Sequence, residues 1–196
     1  LAGYMSSTKR VGFIGGVPIP TVRAFRHGFA QGLAYANPEV AMLTRYVSQG
    51  DDFSGFYNQQ VAFQLAEDLY SEGVDIIFPV AGEAGLAVLQ AAQELDRYAI
   101  GIDYDQDHLA KGHVLASVLK RVDKAVYEEI KRITRDQFQA GVHVYGLRDG
   151  GVGLSEMKHS RDHIPQAVQE RLLEVQEKLK HGVIDLQKLP VSPTNE

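Results

Sequence analysis

The residues best placed to do chemistry are an aspartate and a lysine that each close a short apolar run. Asp103 ends the run Tyr98 to Ile102, and Lys120 ends Val114-Leu115-Ala116-Ser117-Val118-Leu119. If both runs are strands of one sheet, the two charges stand at one mouth. A carboxylate placed there accepts two hydroxyl protons of a diol, while the ammonium donates and keeps the carboxylate ionised. A lysine at a strand end is more often simply solvated, and the pattern suits binding as well as catalysis. No second carboxylate or histidine stands ready as acid or base, so no catalytic residue is assigned and an enzyme is not expected.

A second cluster is aromatic. Phe53, Phe56 and Tyr57 sit in the polar stretch Asp51-Asp52-Phe53-Ser54-Gly55-Phe56-Tyr57-Asn58. Such side chains either fold back onto the domain or form a platform on which a base or sugar ring stacks, worth about 1–3 kcal/mol for a base. Gly82-Glu83-Ala84-Gly85 follows an apolar run but is only half of a dinucleotide fingerprint. Its other reading is tight strand–helix packing.

Other chemistries fail on spacing. Asp103-Tyr104-Asp105-Gln106-Asp107 opens like a calcium loop, yet His108 and Val114 stand where Gly and Glu are required. His159 and His163 lie four apart without an HExxH pattern, so a solvated pair is expected and no metal. Neither GxSxG nor GxxxxGK[ST] occurs. The 196 residues contain no cysteine, which removes thiol catalysis, zinc ribbons and iron–sulfur clusters. A net charge of −5 argues against a nucleic-acid backbone partner. No cofactor is expected.

The elements that must carry these residues alternate. Val11-Gly12-Phe13-Ile14 is a strand closed by Gly15-Gly16, and a helix from about Thr21, its N-cap, to Ala36 stops at Asn37-Pro38. Val40 to Val47 reads as a strand, Gln59 to Tyr70 as a helix, Val74 to Val80 as a strand and the stretch to Leu95 as a helix. Strands separated by helices predict βαβ units and a parallel sheet covered on both faces. Ligands then bind outside the carboxyl ends of the strands, which places Gly15-Gly16, Gly82 and Asp103 on one rim. Further on, Val114 to Leu119 reads as a strand. Val122 to Phe138 reads as a helix burying Val122, Val126, Ile130 and Ile133. Val142 to Leu147 reads as a strand, Gly150 to Leu154 as a loop, Ile164 to Leu179 as a helix, and Pro190 to Glu196 as a frayed tail.

In order along the chain, Val11-Gly12-Phe13-Ile14-Gly15-Gly16, Asp75-Ile76-Ile77-Phe78, Val80-Ala81-Gly82, Ile100-Gly101-Ile102-Asp103-Tyr104-Asp105-Gln106, Leu119-Lys120-Arg121-Val122-Asp123, Gly141 to Leu147 and Gly150 to Leu154 resemble the basic membrane protein family. These are substrate-binding lipoproteins of ABC transporters, among them purine-nucleoside receptors. The resemblance implies an α/β, type I periplasmic-binding-protein-like fold, with parallel sheets flanked by helices. This chain would supply the second lobe plus part of the first. Residues 1–9 would be the tail of a crossover helix, 10–118 the second lobe, 119–160 segments returning to the first lobe, and 161–196 a C-terminal helix and tail. Leu1-Ala2-Gly3-Tyr4-Met5 reads as the end of a helix, and the chain is expected to be cut from a longer protein.

By the same resemblance Asp103 would grip ribose hydroxyls beside Lys120, and Gly82 would offer a backbone N–H at a helix N-terminus. Phe56, or failing it Phe53, would stack on the base, and Asp105 joins the ligand-binding set. Glu83 and Ala84 depart from the glycine- and threonine-like residues expected after Gly82. The implied partners are a nucleoside, bound between two lobes, and ABC permease subunits. The implied location is the cell surface or periplasm, with a lipid anchor absent from this chain. A ligand-sensing regulator of the same fold is the alternative.

Overall fold

The computed structural model describes residues 1–191 and 194–195. A short helix α1 (Ala2–Met5) leads into β1 (Arg10–Gly15), α2 (Pro20–Ala36), β2 (Ala41–Tyr46), α3 (Gln59–Ser71), β3 (Ile76–Val80), α4 (Ala84–Glu94), β4 (Tyr98–Asp103) and β5 (Val114–Lys120). Then come α5 (Val122–Thr134), β6 (Val152–Leu154), α6 (Gln166–Lys180) and β7 (Thr194–Asn195). The strands form one sheet in the order β6-β5-β4-β3-β1-β2-β7. Every neighbouring pair is parallel except β5 with β6.

Local chemistry explains the boundaries. Pro20 is the first residue of α2, where a missing N–H costs nothing, so the helix starts before the expected cap at Thr21. It ends at Asn37, which the following Pro38 holds extended. Asn58 caps α3 by accepting from the amide of Val61 at 3.1 Å.

Two apolar layers hold the sheet. On one face α1 and α2 bring Ala2, Val22, Ala30 and Leu33 onto Val11, Phe13, Ile76, Phe78 and Ile100. Phe78 meets Phe13 edge-on at 6.0 Å and Phe29 at 5.1 Å, pairs worth about 0.5–1.5 kcal/mol each beyond their burial. On the other face α3 and α4 approach closely through Ala62, Ala66, Ala84, Ala87, Ala91 and Ala92, over Ile14 and Ile77. Because β1 lies between β2 and β3, the chain reverses its direction of sheet growth there. The carboxyl ends of β1 and β3 therefore lie at the switch point of the sheet, where ligands of such folds bind.

The later segments depart from expectation. Helix α5 ends at Thr134, earlier than Phe138, in a turn where Asp136 takes a left-handed φ of 54° and the amide of Gln137 reaches the carbonyl of Arg132. It buries none of its residues: Val122, Val126, Ile130 and Ile133 are all more than half exposed. The stripe borders a hollow shared with Phe138, His143 and Tyr145, so the periodicity is present but stays largely uncovered. The expected strand from Val142 to Leu147 does not form, because 142–146 have no neighbouring strand. The alternation survives: His143 and Tyr145 turn to Glu129 of α5, and Val142 and Val144 point out to solvent. The Gly150 to Leu154 stretch is not all loop, since β6 adds antiparallel to β5 through Val118↔Leu154 and Lys120↔Val152. Of the expected frayed tail, 192, 193 and 196 lie outside the described residues, while β7 pairs with Met42 and Leu43 of β2.

Candidate functional site

The rim begins where β1 runs out. The amide of Gly16 donates to the carbonyl of Val80 at 2.9 Å, and the carbonyl of Gly16 accepts from Ser48 at 3.0 Å, so this backbone is clamped between β3 and the loop after β2. On it sits one turn of 3-10 helix, Phe53–Phe56, capped by Asp52, whose carboxylate accepts from the amide of Ser54 at 3.0 Å. The Ser54 hydroxyl, together with that backbone bond, holds the Asp52 carboxyl below the usual carboxylate range.

The turn presses the half-buried ring of Phe56 against two glycines. A Cβ at Gly16 would come within 2.5 Å of Phe56 Cδ1, and one at Gly82 within 3.2 Å of the Phe56 carbonyl oxygen. Gly82 also has φ +56°, which side chains rarely adopt. Its carbonyl accepts from the amide of Gly85 in the turn that opens α4. Phe53 lies 54% exposed, with its ring 6.2 Å from that of Phe56.

Asp103 is the last residue of β4 and has φ +70°. Its Oδ1 lies 2.6 Å from Lys120 Nζ at the end of β5. The register Asp103↔Leu119 explains the contact, since the two parallel strands end together. Lys120 is 52% and Asp103 41% exposed, so the ion pair contributes only about 0–1 kcal/mol to the fold. Exposed charges held at a strand mouth remain free to bind something else. Asp105, half-buried, is turned to its own loop: Oδ1 accepts from the amide of Asp107 at 3.1 Å.

The structure thus brings together Asp103 with Lys120, and Phe56 with Gly82 and Phe53, at carboxyl ends of adjacent parts of one sheet. The large apolar hollows lie elsewhere. One of about 640 Å³ is lined by Phe25, Phe29, Phe78, Val118, Leu154 and Leu179, and one of about 490 Å³ runs along α5.

Behind Asp103 lies a set of buried polar groups to which no role was assigned from the sequence. Gln106, Ser117 and Ser155 are each at most 6% exposed and are hydrogen-bonded in series. The available signal was a serine inside the otherwise apolar run of β5.

The family of ABC transporter substrate-binding proteins described as PnrA-like matches residues 1–189. Basic membrane protein D of Borreliella burgdorferi is 32% identical over the whole chain, which covers 58% of that protein. Basic membrane protein B of Borreliella afzelii is 40% identical over 79% of the chain and 46% of its own length. The chain therefore spans about half the length of these curated relatives. Among solved structures, a transcriptional activator of the comK gene from Bacillus halodurans superposes with a TM-score of 0.79 at 26% identity, covering 93% of this chain and 60% of that one. An ABC transporter solute-binding protein from Conexibacter woesei superposes with 0.72 at 23% identity, over 97% and 60% of the two chains, a likeness of fold. A family match over residues 1–189, on an α/β sheet of mostly parallel strands, makes this chain a member of the PnrA-like substrate-binding proteins of ABC transporters.

Proposed function

We propose that this chain provides one wall of a cleft that closes on a nucleoside, a purine ribonucleoside by preference, and hands it to an ABC permease. The observation that carries the reading is the Asp103–Lys120 pair, 2.6 Å apart and open to solvent at a strand mouth. A carboxylate with two acceptor oxygens fits a vicinal diol, and the adjacent ammonium keeps it ionised. Phe56 offers its face to the base, with Phe53 behind it, and Gly82 stands at the N-terminal end of α4, where unpaired amides favour electron-rich atoms. Asp105 serves the same loop at one remove.

The division of the chain follows from the same reading. Residues 1–9 enter, 10–118 form the second lobe, 119–160 return to a first lobe, and 161–196 close back on the second. The exposed apolar stripe of α5 supports it, since that stripe lacks the cover a folded lobe would give. Hinge closure around ligand would then desolvate the Asp103–Lys120 pair. Such a protein works at the cell surface or in the periplasm, held by a lipid anchor, and makes no use of nucleic acid.

A second reading is a ligand-sensing regulator, favoured by the likeness to the comK activator. The coding sequence upstream separates them: a helix-turn-helix supports the regulator, a signal peptide with a lipidated cysteine the receptor.

The test is calorimetric titration of the full chain with adenosine, guanosine and inosine, each against its 2′-deoxy form, repeated in Asp103→Ala. Ribonucleosides should bind more tightly than their deoxy forms, and Asp103→Ala should abolish the difference. Equal affinity for both forms in the unsubstituted protein refutes the diol grip.

A further inference from the structure

The buried polar series behind the rim ends on the residue next to Asp103. Gln106 Oε1 accepts the amide hydrogen of Ile102 at 2.9 Å. The pairing of β4 with β3 stops at Ala99, so this side-chain oxygen serves a strand end that β3 does not reach. The backbone amide of Gln106 donates to Ser117 Oγ at 3.0 Å. The amide of Ser117 in turn donates to Ser155 Oγ at 2.9 Å, and the amide of Ser155 returns to the carbonyl of Ser117 at 2.9 Å. Ser117 is fully buried, and Gln106 and Ser155 are 5% exposed, so water cannot replace these partners cheaply.

Two further features tighten the assembly. Gly101 leaves room for it, since a Cβ there would collide with Ser117 Oγ and come within 2.9 Å of Gln106 Oε1. Asp107, 2% exposed, accepts from the amide of His159 at 2.7 Å and from the Ser160 hydroxyl at 3.2 Å. The loop from Asp103 to Asp107 is therefore sewn to the segment after β6 through the two oxygens of the buried Asp107 carboxylate.

We infer that Gln106, seated on Ser117 and Ser155, is a positioning residue that holds Asp103 in its left-handed conformation with its carboxylate toward Lys120. This rests on Asp103 being the diol-gripping carboxylate. Residues with φ near +70° are costly unless their surroundings fix them, and Asp103 follows directly on the amide that Gln106 holds. Because Ser155 continues β6, the strand by which residues 121–150 rejoin the sheet, the series also transmits movement of that segment to the grip.

The experiment uses the full chain, with inosine and 2′-deoxyinosine as probes in calorimetry. Gln106→Met keeps the length of the side chain and removes the acceptor. It should weaken inosine by about tenfold, the effect of one lost buried hydrogen bond, and leave 2′-deoxyinosine within about twofold. Gln106→Glu retains an oxygen for Ile102 and should restore most of the preference. Ser117→Ala removes the acceptor for the Gln106 amide and should shift the same ratio, which decides the matter if Gln106→Met does not fold. A purely structural role would lower both affinities together, and that result, or an unchanged ratio in Gln106→Met and Ser117→Ala, overturns the inference. If Asp103→Ala itself leaves the ratio intact, the diol reading is at fault and the inference falls with it.

Discussion

One methyl group at Gly16 should separate base stacking from sugar binding. Alanine there places a Cβ 2.5 Å from Phe56 Cδ1 and 2.7 Å from Cε1, where carbon atoms prefer about 3.5–4.0 Å. The backbone cannot retreat, because the amide and carbonyl of Gly16 are both hydrogen-bonded, to Val80 and Ser48. The half-buried ring must move by about 1 Å. Overpacking of this kind costs about 1–3 kcal/mol, and a ring free to tilt toward solvent puts it at the low end, near 1. Thermal denaturation should fall by about 2–4 °C. A misplaced platform forfeits much of a stack worth about 1–3 kcal/mol, so nucleoside affinity should drop by roughly tenfold. Free ribose, which has no base, should bind Gly16→Ala as it binds the unsubstituted protein. Calorimetry with a nucleoside and with ribose reads both. Unchanged nucleoside affinity, or an equal loss for ribose, would refute Phe56 as the stacking residue.

Two further substitutions test the scaffold. The Asp75 carboxylate collects the amides of Ser7 (2.6 Å) and Thr8 (3.1 Å) and the hydroxyls of Ser6 (2.8 Å) and Ser7 (3.0 Å), fastening the segment before β1 to the start of β3. Asp75→Asn leaves one acceptor oxygen and turns an NH2 toward donors, which should cost about 2–4 kcal/mol in urea denaturation; a loss under about 0.5 kcal/mol contradicts the reasoning. Gly28 and Gly32 lie exposed within α2 with open space around them. Gly28→Ala and Gly32→Ala should each stabilise by about 0.5–1 kcal/mol, seen as a raised melting temperature.

What could be read from the residues follows from where the information lies. Strands β1, β3, β4 and β5 announce themselves as short apolar runs closed by glycine or a charged residue, because both faces of a parallel strand are buried. The contact of Asp103 with Lys120 was legible for the same reason, as each ends its run. Strand β6 was not, since three residues with a glycine at their centre carry no period. The stretch Val142 to Leu147 alternates as a strand does, but alternation cannot reveal whether a neighbour exists to pair with it. Gln106 sits in a polar run that reads as solvated. Only the fold shows its carboxamide turned inward to serve Ile102.

The two margins of the sheet have a consequence for the chain in solution. One margin is closed by the three residues of β6 and the other by the two of β7. On the first, the Ser160 hydroxyl also takes the carbonyl of Val114, where β6 does not reach. Long flat margins recruit strands from other molecules and seed aggregates, while brief ones give an incoming strand little to grip. At the β6 margin, where the Ser155 amide and the Ser160 hydroxyl take the carbonyls of Ser117 and Val114, an incoming strand finds little of β5 left to pair with.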